Sequence, residues 1–163
     1  MAESFSFDVV SNFDQQELVN VIDQIRREIV QRYDLKDSGS TLEIDKESIV
    51  VITNSEMTLQ AIEQLLLQRA VKRNLSLKIF DFQSSVIISG NRIKQQINLR
   101  KGLSQELAKR LSKELRDEIR KITVTIQGDS LRVTGKNKDD LQQAMNLLKS
   151  QDIEVPLQFE NYR

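Results

Sequence analysis

This sequence encodes an α+β chain of two tandem βαββαβ units, each an antiparallel sheet with two helices on one face. Three features carry that expectation. Apolar residues alternate with period two in short runs and recur with helical spacing in longer ones. The order strand-helix-strand-strand-helix-strand occurs twice. Residues 41–66 also align without a gap with 123–148, matching Thr41/Thr123, Ile44/Ile126, Ser48/Ser130, Val51/Val133, Leu59/Leu141, Gln60/Gln142, Leu65/Leu147 and Leu66/Leu148. Duplication of one split βαβ unit accounts for both the order and the identities. It predicts an N-terminal domain over residues 1–90 and a C-terminal domain over 91–163.

Phe5, Phe7 and Val9 alternate as a first strand. Asp14 with Glu17 makes a capping-box-like helix start, and Leu18, Val21, Ile22, Ile25 and Ile29 form its buried stripe. Tyr33 extends that stripe, which predicts a core position. Leu42/Ile44 and Ile49/Val51 flank a polar turn at Lys46-Glu47. A second helix over residues 56–71 turns Leu59, Ile62, Leu66 and Ala70 inward, followed by a strand over residues 77–82 and an irregular stretch over 84–90.

The order then recurs. Ile93, Ile97 and Leu99 mark a strand, and Leu103, Leu107, Leu111, Leu115 and Ile119 a helix. Ile122/Val124/Ile126 and Leu131/Val133 enclose Gly128-Asp129, a connection that favours a two-residue hairpin. Asn137 caps a last helix with Leu141, Ala144, Met145 and Leu148 on its core side, and a short strand over 157–159 follows Pro156.

The 163 residues include no cysteine and no histidine. Disulfides, thiolate chemistry, imidazole-ligated metals and Ser-His-Asp catalysis are excluded. No enzyme, cofactor or metal is expected. The N-terminus lacks the basic and apolar regions of a signal peptide, and no apolar run is long enough to span a bilayer; a cytoplasmic protein without membrane contact is the expectation. The 24 basic and 24 acidic residues are unevenly placed: residues 1–82 carry a net charge of −5 and residues 83–163 a net of +5. That asymmetry predicts an anionic partner for the second half, or attraction between the halves.

Pairing across Gly128-Asp129 puts Ile126 opposite Leu131 and Val124 opposite Val133 on the helix-covered side. The open face then shows Thr123, Thr125, Gln127, Ser130, Arg132 and Thr134, with Lys94, Gln96 and Asn98 expected beside them. It is polar and basic, with no aromatic side chain for the base stacking used by RNA-recognition domains. In the first half the open face carries Val50 and Ile52, which predicts burial against the other half or a second chain.

Thr134-Gly135-Lys136 is not a phosphate-binding P-loop, because the spacing from Gly128 and the hydroxyl position are both wrong. Gly135-Lys136-Asn137 nevertheless opens a helix, whose N-terminus favours an anion. Arg100-Lys101-Gly102 stands in a similar place. Asp34/Asp37 and Asp139/Asp140 read as caps and turns rather than paired catalytic acids.

The run Ile126–Gln142, the ending Pro156–Arg163, and the motifs Phe7–Ser11, Arg32-Tyr33-Asp34 and Leu99–Gly102 resemble the YajQ family over essentially the whole chain. The resemblance implies a bacterial cytosolic protein of two ferredoxin-like domains that exchange their first strands. It further implies nucleotide binding, with links in different members to RNA and to cyclic dinucleotides, and no enzymatic activity. The functional expectation is a nucleotide- or RNA-binding protein that works mainly through phosphates. Arg132, Lys136, Lys94, Arg100 and Lys101 are expected at the phosphates, with Gly128 and Gly135 admitting close backbone approach. Arg32, Tyr33, Tyr162 and Arg163 join them because they fall in family motifs. The alternative is a protein-interaction adaptor, with a protein partner or self-association on the Val50/Ile52 face.

Overall fold

The structure, a computed structural model, describes residues 4–163. Its elements in chain order are β1 (Phe5–Val10), α1 (Gln15–Gln31), β2 (Thr41–Ile44), β3 (Ser48–Thr53), α2 (Glu56–Lys72), β4 (Phe80–Phe82), β5 (Val86–Ile88), β6 (Arg92–Leu99), α3 (Gln105–Glu118), β7 (Ile122–Gln127), β8 (Ser130–Gly135), α4 (Lys138–Ser150) and β9 (Gln158–Glu160). Single turns of 3₁₀ helix occupy Leu77–Ile79 and Ser89–Asn91.

The chain forms two compact units, one from residues 13–100 and one from the segment up to Asn12 with Lys101–Arg163. Each is a ferredoxin-like βαββαβ fold in which the opening strand is exchanged. β1 leaves the helix that follows it and joins β8 and β9, giving the sheet order β7-β8-β1-β9. β6 takes its place beside β3, giving β2-β3-β6-β4 with β5 also paired to β6. The expected boundary between residues 90 and 91 is therefore corrected. β6 completes the sheet of the first unit, so the chain divides after Asn12 and after Arg100.

The exchange also removes the charge asymmetry. Counted by unit, the 48 charged residues fall as 12 basic and 12 acidic in each. The imbalance between the two halves of the sequence arises where the linear order is cut and is no property of either folded unit.

In the unit of residues 13–100, Leu18, Val21, Ile22, Ile25 and Ile29 of α1 and Leu59, Ile62, Leu65, Leu66 and Ala70 of α2 pack on Leu42, Ile49, Val51, Ile93 and Ile97 of the sheet. Asp14 caps α1 by accepting from the Gln16 and Glu17 N–H groups, and Ser55 caps α2. Tyr33 is not in this core. Arg32 leaves the helix with ψ 134°, so the stripe ends at Ile29 and Tyr33 is 91% exposed. Val50 and Ile52 are half-buried, each flanked on the open face by polar partners: Glu43 and Gln96 beside Val50, Thr41 and Lys94 beside Ile52.

In the other unit, Phe7, Val9, Leu131 and Val133 of the sheet meet Leu107, Leu111 and Leu115 of α3 and Leu141, Ala144 and Leu148 of α4. The hairpin register is as expected, with Ile126 opposite Leu131 and Val124 opposite Val133. Gly128 takes φ +60° at its turn. Ser104 and Asn137 cap α3 and α4. Among the described residues no helix is long and apolar enough to cross a membrane, and no cluster of acidic side chains is arranged to hold a metal ion.

Candidate functional site

The open face of the β7-β8-β1-β9 sheet is organised in rows, because residues in register on neighbouring strands project to the same side. One row runs from Thr123 to Thr134 to Ser6. Arg163 extends it through a pair of backbone bonds to Ser6, at 2.9 and 3.2 Å. The next row is Thr125, Arg132, Asp8 and Glu160. Lys94, Gln96 and Asn98, expected beside these residues, lie instead on β6 in the sheet of the other unit. The strand exchange is the reason.

Arg132 is engaged. Its Nε donates to Asp8 Oδ1 at 2.9 Å and its Nη2 to Oδ2 at 3.4 Å, while the Asn161 amide donates to Oδ2 at 2.8 Å. The Arg132 guanidinium first, and the Asn161 amide second, hold the Asp8 carboxyl below the ordinary carboxylate range. Asn161 adopts a left-handed backbone, φ +53°. The cation expected to lead phosphate recognition is thus neutralised by a buried carboxylate 124 positions away in the chain.

At the end of the first row a cleft of about 520 Å³ opens, lined by Ser4, Lys121, Thr123, Thr134, Gly135, Lys136, Asn137 and Asp140. Its volume suits a small ligand. Each wall has a local cause. Ile119 caps the end of α3, and Lys121 stands in the turn one residue before β7, where it faces the cleft with Thr123. Thr134 ends the open-face row of β8. Asn137 caps α4 by accepting from the Asp139 N–H at 2.9 Å, which aims the positive end of the helix at the cleft. Neither Lys121 nor Lys136 forms an ion pair among the described residues. Asp140 is the acidic group on the wall.

Gly135 lines the cleft and is also closely packed beneath it. A Cβ there would lie 3.3 Å from Ile122 Cγ2 and 3.4 Å from Leu141 Cδ2, so the missing side chain serves the packing of α4 on β7. Gly128 has open space above it, with no atom within 4 Å of a built Cβ. Lys101 is exposed, and its neighbour Gly102 donates to the Ser11 carbonyl at 2.7 Å while packing on Asp129 of the hairpin turn. Tyr162 is 51% exposed.

The remaining expected residues belong to the other unit. Arg100 is committed to the carbonyl of Lys78 at 3.2 Å and the carboxylate of Asp81 at 3.3 Å. Arg32 forms a two-pronged pair with Asp34, both contacts at 3.0 Å, and Lys36 Nζ sits 5.3 Å above the exposed ring of Tyr33. Of the expected set, Lys136 and Gly135 converge on the cleft. Lys121 was missed, although its signal is legible: it stands two positions before Thr123, at the turn that leads into β7.

Comparison with known proteins identifies a family and relatives that match the whole chain. The model of the nucleotide-binding protein YajQ-like family matches residues 5–163. A nucleotide-binding protein of Prochlorococcus marinus (strain MIT 9211) is 64% identical over the full length of both chains. Others from Parasynechococcus marenigrum (strain WH8102) and Synechococcus sp. (strain CC9605) are 60% and 59% identical, again over the full length of both.

Proposed function

The chain belongs to the YajQ-like family of nucleotide-binding proteins, and from that premise we propose that it binds a nucleotide or RNA through phosphate groups, without converting it chemically. One observation carries the reading: two lysines without carboxylate partners among the described residues, a pair of threonine hydroxyls and the N-terminus of α4 meet in one cleft. Lys121 and Lys136 supply charge to a phosphate, Thr123 and Thr134 donate hydroxyl hydrogen bonds, and the helix dipole adds to both. Asp140 repels phosphate and accepts from a ribose hydroxyl or a base amino group, so it orients the ligand. No aromatic side chain lines the cleft, which favours phosphate and sugar recognition over stacking. A cyclic dinucleotide and a single-stranded RNA both present such phosphates.

The test is a titration of the purified protein with GTP, cyclic di-GMP and short RNAs over a salt series. Affinity is expected to fall steeply with salt, and Lys121→Ala or Lys136→Ala to weaken binding about tenfold and reduce the salt slope by about one each. Absence of binding at low salt, or binding that neither substitution changes, overturns the reading. The adaptor alternative through Val50 and Ile52 has weaker support, since polar neighbours flank both residues and leave no continuous apolar surface.

A further inference from the structure

β5 is an edge strand of a kind that natural sheets normally protect. It pairs with β6 on one side only, Val86 with Lys94, Ile87 with Ile93 and Ile88 with Arg92. Its outer side therefore offers unpaired backbone N–H and C=O groups. Val86 is 54% exposed and Ile87 77% exposed. The surrounding run, residues 82–91, contains no charged residue and is the longest uncharged run in a chain that is 29% charged.

The other sheet edges are guarded. On β2, Arg26 Nε donates to the Leu42 carbonyl at 3.0 Å and occupies an outward-facing acceptor, and Glu43 adds a charge. β4 carries Asp81, paired with Arg100. β7 exposes Thr123, Thr125 and Gln127 and starts beside Lys121. β9 contains Glu160. Only β5, among the described strands, combines an open edge with exposed aliphatic side chains and no charge.

We infer that β5 is the contact through which two copies of this chain associate, by antiparallel pairing of β5 with β5 about a two-fold axis. An isologous contact brings a surface against itself, so any charge in it meets a like charge. A run without charges escapes that penalty, whereas most of this protein's surface does not. With Ile87 on the axis, Val86 meets Ile88 of the second copy, giving aliphatic cross-strand pairs throughout. The nearest cations, Lys94 and Arg92 on β6, then lie three strand spacings from those of the other copy, about 14 Å, beyond the screening length of roughly 10 Å at moderate salt. Arg92 is in addition turned to the Gly39 carbonyl, at 2.5 Å. This contact is separate from the phosphate cleft and from the Val50/Ile52 face.

Sedimentation velocity over a wide concentration range tests it. The protein is expected to show a monomer–dimer equilibrium, and Ile87→Lys to weaken dimerisation at least about tenfold by placing two ammonium groups on the axis. Circular dichroism of the variant checks that it folds; so exposed a side chain leaves the core intact. Because the chain has no cysteine, Ile87→Cys supplies a second readout: mild oxidation should yield a covalent dimer, while Gln142→Cys on the exposed side of α4 should not. A wild-type protein that stays monomeric at high concentration overturns the inference. So does a dimer that survives Ile87→Lys, or one in which Cys at position 87 fails to cross-link.

Discussion

Arg132 and Asp8 face each other across the β8–β1 pair, with Nε 2.9 Å from Oδ1. Asp8 is buried and Arg132 exposed. The pair therefore orders the open face of the sheet, and through Asn161 it also anchors the segment that follows β9. Because the folded carboxyl is held below its ordinary value of 3.8, the pair contributes stability above that value and loses it as pH falls through the lower folded pKa. Thermal melts of wild type and Asp8→Asn should differ most at neutral pH and converge in acid below the ordinary value. A difference independent of pH would show that the charge is irrelevant.

The same geometry separates Arg132 and Arg100 from the lysines of the cleft. Both arginines are already held, by Asp8 in one case and by Asp81 with the Lys78 carbonyl in the other. Arg132→Ala and Arg100→Ala should each lower the melting temperature while leaving nucleotide affinity within about twofold of wild type, far from the roughly tenfold loss expected of the lysine variants. Isothermal titration and melting curves on the same samples distinguish the two groups.

Two glycines near one turn should respond differently. Gly102 has φ +82°, and a Cβ there would lie 2.5 Å from Asp129 Oδ2 and 2.9 Å from Asp129 Cβ. Gly128 has φ +60° and open space. Gly128→Ala carries only the left-handed backbone cost of about 1–2 kcal/mol, whereas Gly102→Ala adds a steric conflict with the hairpin turn. Urea unfolding should rank Gly102→Ala as the more damaging, and Asp129→Gly should recover part of its loss.

Local pattern explains what was legible beforehand. The stripe from Leu18 to Ile29, the cap at Asp14 and the pairing of Val124 with Val133 all follow from residues a few positions apart, where periodicity and turn chemistry decide. Which sheet β1 and β6 would enter was not written locally. Each is an alternating strand that fits either unit, so only the resemblance to a family pointed to exchange. The site was affected in turn. Lys94 moved with β6, and Arg132 met a carboxylate from the far end of the chain. Tyr33 kept the helical spacing of a core residue, but the backbone turns out of the helix at Arg32.

A chain of hydroxyls in the unit of residues 13–100 gives a last prediction. Ser38 Oγ donates to the Leu35 carbonyl at 2.6 Å. A hydroxyl has one proton, so Ser40 must donate to Ser38 and Thr53 must donate to Ser40, at 2.8 Å. Thr53 Oγ1 also lies 2.7 Å from Thr58 Oγ1, whose single proton is shared with the Asn54 side-chain oxygen and the Ser55 carbonyl, each at 3.0 Å. Every proton before Thr58 is assigned by its neighbour, and the chain ties the loop after α1 to the end of β3 and the start of α2. Thr53 is fully buried. Thr53→Val keeps the shape and removes both bonds, leaving Ser40 without its donor; a loss of about 1–3 kcal/mol is expected in denaturant unfolding. Thr58→Val should cost less, because Thr58 lies nearer the surface, and the double variant should cost less than the sum of the two, since both remove the same link. Strict additivity would mean that the hydroxyls act independently and the ordered chain has no energetic role.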